Sequence, residues 1–215
     1  MENVPTGEND FPQVDVRIIN SGELKEGEDD GVQDLKEGEY EDYPEDDDSN
    51  TEEPSVAFEI SKNIKDAGSQ AFKQGDIVNA LKLWEKSLRY LDVHPVLPDD
   101  TNKDLKVNFN TIRVQLNLNL SISSLKLNKN SQAESYATKA IRVPPLNPSE
   151  IVKGLYRRSL SKSNRNNFDD ALSDLNSALK IKPNDEVILN QINVLNKKLD
   201  NFKSKQKQIY AKMFE

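Results

Sequence analysis

Apolar residues fall at helical spacing along most of the chain after residue 60, and turn residues divide them into paired segments. In "KDAGSQAFKQGDIVNALKLWEKSLRYL", Ala67, Ala71 and Phe72 share one helical face before "QGD" interrupts the pattern. Ile77, Ala80, Leu81, Trp84 and Leu88 share the next face, so the stretch predicts a helical hairpin. "FDDALSDLNSALKIKPND" repeats its second half: Phe168, Ala171, Leu175, Ala178 and Pro183 stand at the offsets of Ile77, Ala80, Trp84, Ser87 and Asp92. "QAESYATKAIRV" does so again with Ala133, Ala137 and Ala140. Setting Ala80, Ala133 and Ala171 in register puts three units near 61–94, 114–147 and 152–185, with steps of 53 and 38 residues. The longer step fits "VHPVLPDDTNKD" as an extended loop between lengthened helices. A seventh helix is predicted over about 185–213, where Val187, Ile188, Ile192, Leu195 and Leu199 form a stripe able to cap the stack.

One of these helices carries an oddity. "NPSEIVKGLYRRSL" opens with Asn147 as cap, Pro148 at the first helical position and Glu150 where a capping box takes an acid. Lys153 and Arg157 then stand four residues apart on one face with no acid between them. Like charges at that spacing cost a helix about 0.2–0.5 kcal/mol. Two readings fit: a solvated surface, or a face whose anion belongs to a partner.

Charge changes the picture of the first quarter. Residues 21–54 hold 16 acids against 2 bases, and residues 1–20 hold 4 acids against 1 base. The remaining 55–215 then carries a net charge of +9, although the whole chain stands at −8. "GEYEDYPEDDDSNTEEP" is too acidic and too poor in apolar residues to offset its ordering entropy, so 25–55 is expected to be a disordered linker. The chain has no cysteine and one histidine, His94, which leaves no disulfide, no thiolate nucleophile and no ordinary zinc ligand set. No metal or cofactor is expected. No apolar run reaches the length of a membrane span, and "MENVPTGENDFPQV" lacks the regions of a signal peptide. A cytoplasmic protein is the expectation.

Gly68, Phe72, Gly75, Ala80, Trp84, Ala140, Ala171, Ala178 and Pro183 resemble the tetratricopeptide (TPR) signature, in which pairs of antiparallel helices stack to share a core. The resemblance implies an all-α TPR superhelix of three repeats plus the seventh helix. "LNLSISSLKL", "KGLYRR" and "KQKQIYAKMF" together look like the TPR domain of the large immunophilins. "ENVPTGENDFPQVDVRIINSGEL" looks like the last turn and closing strand of a cyclophilin domain. The chain is therefore similar to the C-terminal portion of the large, forty-kilodalton-type cyclophilins that carry a TPR domain. The implied organisation is a cyclophilin remnant over 1–24, an acidic linker over 25–55 and a TPR domain over 56–215. "VDVRIIN" at 14–20 alternates like a strand but has no sheet to join.

The resemblance also implies a site. In such domains the first helix of each repeat lines a groove in which basic and amide side chains grip the C-terminal carboxylates of a chaperone tail. Carried over position by position, that clamp consists of Lys65 in the first repeat, Asn119 in the second, and Lys153 and Arg157 in the third. Ser69 stands where the pattern has asparagine and is its weak member, since a hydroxyl offers one donor against two. The implied partner is the acidic tail of heat-shock protein 90, with heat-shock protein 70 as a second candidate. The alternative is a peptidyl-prolyl isomerase, but the cyclophilin active-site residues have no counterparts here, so no catalytic residue is assigned to this chain. A nucleic-acid binder is disfavoured because the basic residues are not interleaved with aromatics. In "NKKLDNFKSKQKQIYAKMF", Lys203 and Lys207 with Phe202, Ile209, Tyr210, Met213 and Phe214 suit either an amphipathic surface-binding segment or an extension packed on a neighbour.

Overall fold

The computed structural model describes residues 5, 7, 12–15, 17, 22–23, 39–144 and 147–213, the last three of these by backbone alone. Two compact units divide the chain, Met1–Glu39 and Tyr40–Glu215. In the first, the backbone N–H of Gln13 donates to the Pro5 carbonyl at 2.8 Å, and Arg17 pairs with Asp15. Most of the segment expected to be a cyclophilin strand, 14–20, lies outside the described residues, as does 25–38 of the expected linker.

The second unit holds seven helices: α1 (Pro54–Lys73), α2 (Ile77–Asp92), α3 (Lys103–Lys126), α4 (Asn130–Ala140), α5 (Pro148–Asn164), α6 (Phe168–Ile181) and α7 (Glu186–Met213). Consecutive helices pair as α1 with α2, α3 with α4 and α5 with α6. The expected repeat bounds were too narrow at the front. α1 begins at Pro54 rather than near 61, because Pro54 suits a first helical turn. α3 begins at Lys103 rather than near 114, where the Asn102 side chain accepts from the Asp104 N–H at 2.7 Å. Each hairpin turn needs one residue with left-handed backbone. Gly75 supplies it after α1 (φ 88°), Asn128 after α3 (φ 58°) and Asn166 after α5 (φ 63°). Asparagine is the residue besides glycine that tolerates this conformation.

Small residues set how closely the helices approach. Ser61 on α1 and Ser87 on α2 are fully buried and exchange hydrogen bonds, each hydroxyl donating to the other's carbonyl at 3.0 and 2.7 Å. Ser121 on α3 likewise donates to the Ala133 carbonyl of α4 at 2.9 Å. Trp84 lies flat over Gly68, where an added Cβ would sit 2.7 Å from the indole Nε1. That indole N–H donates to the Lys65 carbonyl at 3.0 Å, and Phe72 packs on the ring. One core gathers Leu81, Trp84, Leu91, Phe109, Leu116 and Leu120 from α2 and α3. A second gathers Leu155, Phe168, Leu175, Ile188 and Leu195 from α5, α6 and α7. Ala67, expected on the buried face, is exposed. α7 caps the stack through Ile188 and Leu195, with Ile192, Leu199 and Phe202 half-buried, while Val187 turns outward. Residues 203–210 are exposed, Tyr210 included.

The expected linker is corrected for its last part. Residues 40–53 are strapped against α1 and α2 although they are acidic. Tyr40 and Pro44 supply apolar contact, Pro44 being buried. The Tyr90 hydroxyl donates to the Glu41 carbonyl at 2.8 Å and to Asp47 Oδ2 at 2.7 Å. Lys86 and Arg89 bind the backbone carbonyls of Tyr40 and Asp42, and His94 Nε2 meets the Thr51 carbonyl at 2.9 Å. The acids thus meet cations and hydroxyls that a composition count does not see. Burial alone would raise the Asp47 carboxyl, but hydrogen bonds from Ser49, Tyr90 and Glu41 hold it below its ordinary value of 3.8.

Two outcomes follow from this packing. Gly68→Ala forces the indole of Trp84 away and should cost about 1–3 kcal/mol in urea unfolding. Tyr90→Phe should raise amide exchange across residues 41–49 while leaving α3–α6 unchanged. Because the folded Asp47 pKa is lowered, its contribution to holding the strap is full above pH 3.8 and is lost as pH falls through the folded value. Exchange of the strap should rise over that acid window in the wild type and less so in Tyr90→Phe.

Candidate functional site

α3 packs against both α1 and α5, so one face of the stack is shared by α1, α3 and α5. On α1, Lys65 Nζ reaches across to Gln115 Oε1 of α3 at 3.4 Å and pairs with Asp66 at 3.2 Å, its side chain 18% exposed. One turn further along α1, the Ser69 hydroxyl donates to the Lys65 carbonyl at 2.9 Å. That hydroxyl is engaged with its own helix and must rotate to reach anything else. On α3, Asn119 lies one turn after Gln115 and is half-buried, and among the described residues no side chain hydrogen bonds its amide. On α5, Arg157 donates to the Leu118 carbonyl, next to Asn119 in the chain. Burial of the guanidinium lowers its pKa from the ordinary arginine value, though the side chain remains cationic. Lys153 is exposed, with no ion pair among the described residues.

The five candidate residues therefore lie on three neighbouring helices, tied at two places. Lys65 is bridged to α3 through Gln115, and Arg157 is anchored on the backbone beside Asn119. The first helical turn of α5 is fixed as the sequence implies, with Asn147 Oδ1 accepting from the Ser149 N–H at 3.0 Å and Pro148 following the cap. Lys153 and Arg157 line a cleft of about 490 Å³ whose walls are Ile122, Val152, Tyr156, Leu160 and Ile188. Lys65, Ser69 and Asn119 are not among the residues lining that cleft. The cations thus sit beside a largely apolar trough, an arrangement that can hold an extended segment bearing both carboxylates and an apolar side chain.

Neighbouring residues missed by the sequence reading explain the charge pattern. Arg158, adjacent to Arg157, points the other way and binds Asp174 of α6 through two nitrogens at 2.9 and 2.6 Å. Lys162 adds a third contact to the same carboxylate at 2.9 Å, and the Asp174 side chain is only 6% exposed. The signal was present: Arg158 and Lys162 are four apart, and Asp174 lies on the apolar side of "FDDALSDLNSAL". Gln115 was also legible as the residue one turn before Asn119. Among the described residues, no cluster of His, Cys, Asp and Glu could hold a metal, and no helix is long and apolar enough to cross a membrane.

No model of a known protein family matches the chain. Along its full length it is 33% identical over 228 residues to peptidyl-prolyl cis-trans isomerase D of Cryptococcus neoformans var. neoformans. The chain spans 60% of that relative's length. The helical stack superposes on the C-terminal TPR-containing domain of a Plasmodium falciparum FK506-binding protein with a TM-score of 0.61 at 22% identity, covering 71% of this chain and 96% of that one. The seven helices have the fold of a tetratricopeptide-repeat (TPR) superhelix, and the chain is similar in sequence to the peptidyl-prolyl cis-trans isomerase D proteins over part of their length. The TPR stack is also similar to the myosin chaperone UNC-45 of C. elegans, solved in complex with an Hsp90 peptide. That match has a TM-score of 0.54 at 29% identity and covers 71% of this chain and 15% of that one.

The TPR domain's two kinds of arginine and lysine should behave differently on substitution. Asp174→Asn strands Arg158 and Lys162 near a buried carbonyl-for-carboxylate exchange and should cost about 3 kcal/mol in chemical denaturation, the low end for breaking a buried pair because both cations keep some exposure. Lys153→Ala, with no contact to lose, should stay within about 0.5 kcal/mol of wild type in the same measurement.

Proposed function

We propose that this chain is the chaperone-tail-binding module of a cytoplasmic co-chaperone, and that its ligand is the acidic C-terminal peptide of heat-shock protein 90, with heat-shock protein 70 as the second candidate. What supports this reading is that Lys65 of α1 reaches Gln115 of α3, that Asn119 follows Gln115 by one turn, and that Arg157 of α5, one turn after Lys153, bonds the Leu118 carbonyl beside Asn119. Lysine and arginine give charge-assisted hydrogen bonds to carboxylates, and the Asn119 amide, which no side chain bonds among the described residues, is available as a neutral donor. The solved UNC-45 complex with an Hsp90 peptide supports the choice of ligand. The two stacked cations of α5 are then explained: their mutual repulsion is relieved when an anionic peptide arrives. Cofactors play no part in this reading.

A second reading assigns prolyl-isomerase activity, because the relatives bear that name. We attribute that activity to regions of those relatives outside the resemblance to this helical stack, so the chain as given is expected to turn over no prolyl peptide. Nucleic acid is a poor fit, since Lys153 and Arg157 lie beside a mostly aliphatic trough with one aromatic wall, Tyr156, and not beside a row of stacking aromatics.

Titration with a peptide ending Glu-Glu-Val-Asp tests the proposal. The free-carboxylate peptide should bind, and its C-terminally amidated form should bind far more weakly. Lys153→Ala and Arg157→Ala should each weaken the free-acid complex by about 1.5–3 kcal/mol, the range for a hydrogen bond to a charged group. Lys153→Ala should do so without loss of stability. Arg157→Ala should also destabilise the fold by about 1 kcal/mol, because the Leu118 carbonyl loses its donor. Ser69→Asn should tighten binding by adding an amide donor. Equal affinity of wild type and both alanine variants for the free-acid peptide would reduce the cations to a solvated face.

A further inference from the structure

A second cationic cavity lies on the side of α3 away from the candidate site. Residues two apart on a helix stand nearly opposite one another, so Arg113 and Asn117 face away from Gln115 and Asn119. Both line a cavity of about 380 Å³ between the end of α2, the middle of α3 and the end of α4. Lys139 and Arg142, one turn apart where α4 ends, line the same cavity and are exposed. Lys139 Nζ rests 5.7 Å from the centre of the Tyr136 ring, and among the described residues neither cation enters an ion pair. A smaller cavity of about 180 Å³ shares Pro95 and Arg113 with the first and extends the surface to His94 and Lys106.

Two buried polar atoms of this wall have no hydrogen-bond partner among the described residues: Oδ1 of Asn117 and Nε of Arg113. Asn117 is 3% exposed, and its amide orientation is fixed. Its Nδ2 donates to the Arg113 carbonyl at 2.8 Å, and turning the amide over would set Oδ1 against that oxygen. Arg113 is held at its tip, where Nη2 donates to the Leu91 carbonyl and to Asp92 Oδ1, both at 3.1 Å. A buried acceptor and donor left unmatched side by side are uncommon in a folded chain. An acidic peptide supplies their complement: a main-chain N–H for Asn117, a main-chain carbonyl for Arg113, and carboxylates for Lys139 and Arg142. A phosphodiester strand has no backbone donor and would meet the Asp92 carboxylate, and the apolar walls, Leu88, Pro95 and Val143, give its bases nothing aromatic to stack on. We infer that this back face of α3 binds an extended acidic segment of a partner protein, held through its carboxylates by Lys139 and Arg142 and through its main chain by Asn117 and Arg113. The wall itself covers the two unmatched atoms, so the peptide reaches them as the Arg113 side chain shifts. The segment needs no free C-terminus, and this inference does not rest on the tail-binding reading of the opposite face.

The experiment uses the full chain and a fluorescein-labelled probe, Glu-Glu-Asp-Glu-Glu-Asp, amidated at its C-terminus so that it lacks the free carboxylate of a chaperone tail. Backbone chemical-shift mapping should place the probe at residues 88–95, 113–117 and 139–143. Lys139→Glu and Arg142→Glu, both at exposed positions, should each weaken it by about tenfold in a fluorescence-anisotropy titration, with the melting temperature unchanged. A probe of the same sequence with an N-methylated main chain keeps the charge but loses the donors, and should bind about fivefold more weakly. Shifts centred on 153–157 instead, or equal affinity of wild type and both glutamate variants, overturn the assignment. Equal binding of the N-methylated probe reduces the face to a non-specific cationic patch and also overturns it. So does tighter binding of an oligothymidylate of equal charge that is lost in Arg142→Glu, since the ligand would then be nucleic acid.

Discussion

A helical hairpin of this size cannot bury its own apolar face, so it is stable only when stacked on the next one. That constraint governs the rest of the molecule. Stacking requires close approach, and close approach requires small residues at the crossing points: Gly68 beneath Trp84, the exchanged Ser61 and Ser87, Ala133 against Ser121, and the buried Ala171 and Ala178. Once the hairpins stack, the first helix of each is forced beside the first helix of the next. Residues far apart in sequence, Lys65, Asn119 and Arg157, then share a face without contributing to either apolar core. The candidate site follows from this packing, since its residues stand on the shared face outside both apolar cores.

The ends of the stack show the same constraint in another form. The outer face of the last hairpin is covered by α7 through Ile188 and Leu195. The outer side of the first hairpin is covered by residues 40–53, an acidic strap held by Tyr90, Lys86, Arg89 and His94. One cap is apolar and the other is mostly hydrogen bonds, yet each covers a hairpin face that no neighbouring hairpin covers among the described residues. The surface cations divide in a related way. Arg158 and Lys162 serve the fold through Asp174, while Lys153, one turn before Arg157 on the adjacent face, serves none of it.

The hairpins were legible because alanine recurs at fixed offsets and the apolar stripes have helical period. The candidate site was legible only by resemblance; the spacing of Arg158 and Lys162 and the place of Asp174 on the apolar side of α6 hint at which arginine faces α6, but the pairing itself depends on where Asp174 sits after folding. The strap was misread because composition counts charges but not the Tyr90 hydroxyl and the cations waiting for them. The left-handed turns at Asn128 and Asn166 were passed over because asparagine, unlike Gly75, also serves as an ordinary surface residue. The front of α1 and α3 was missed because their first turns, "PSVAFEI" and "KDLKVNF", lie before the repeating alanines that set the register.

The central claim is that the face shared by α1, α3 and α5 is where this protein meets its ligand. Backbone chemical-shift mapping during titration with a free-acid Glu-Glu-Val-Asp peptide tests that claim residue by residue. The account predicts perturbations concentrated at Lys65–Ser69, Gln115–Ile122 and Lys153–Arg157, with α2, α4 and the outer side of α6 silent. Perturbations confined to the basic stretch 203–210 of α7, or spread evenly over every exposed lysine, would contradict it.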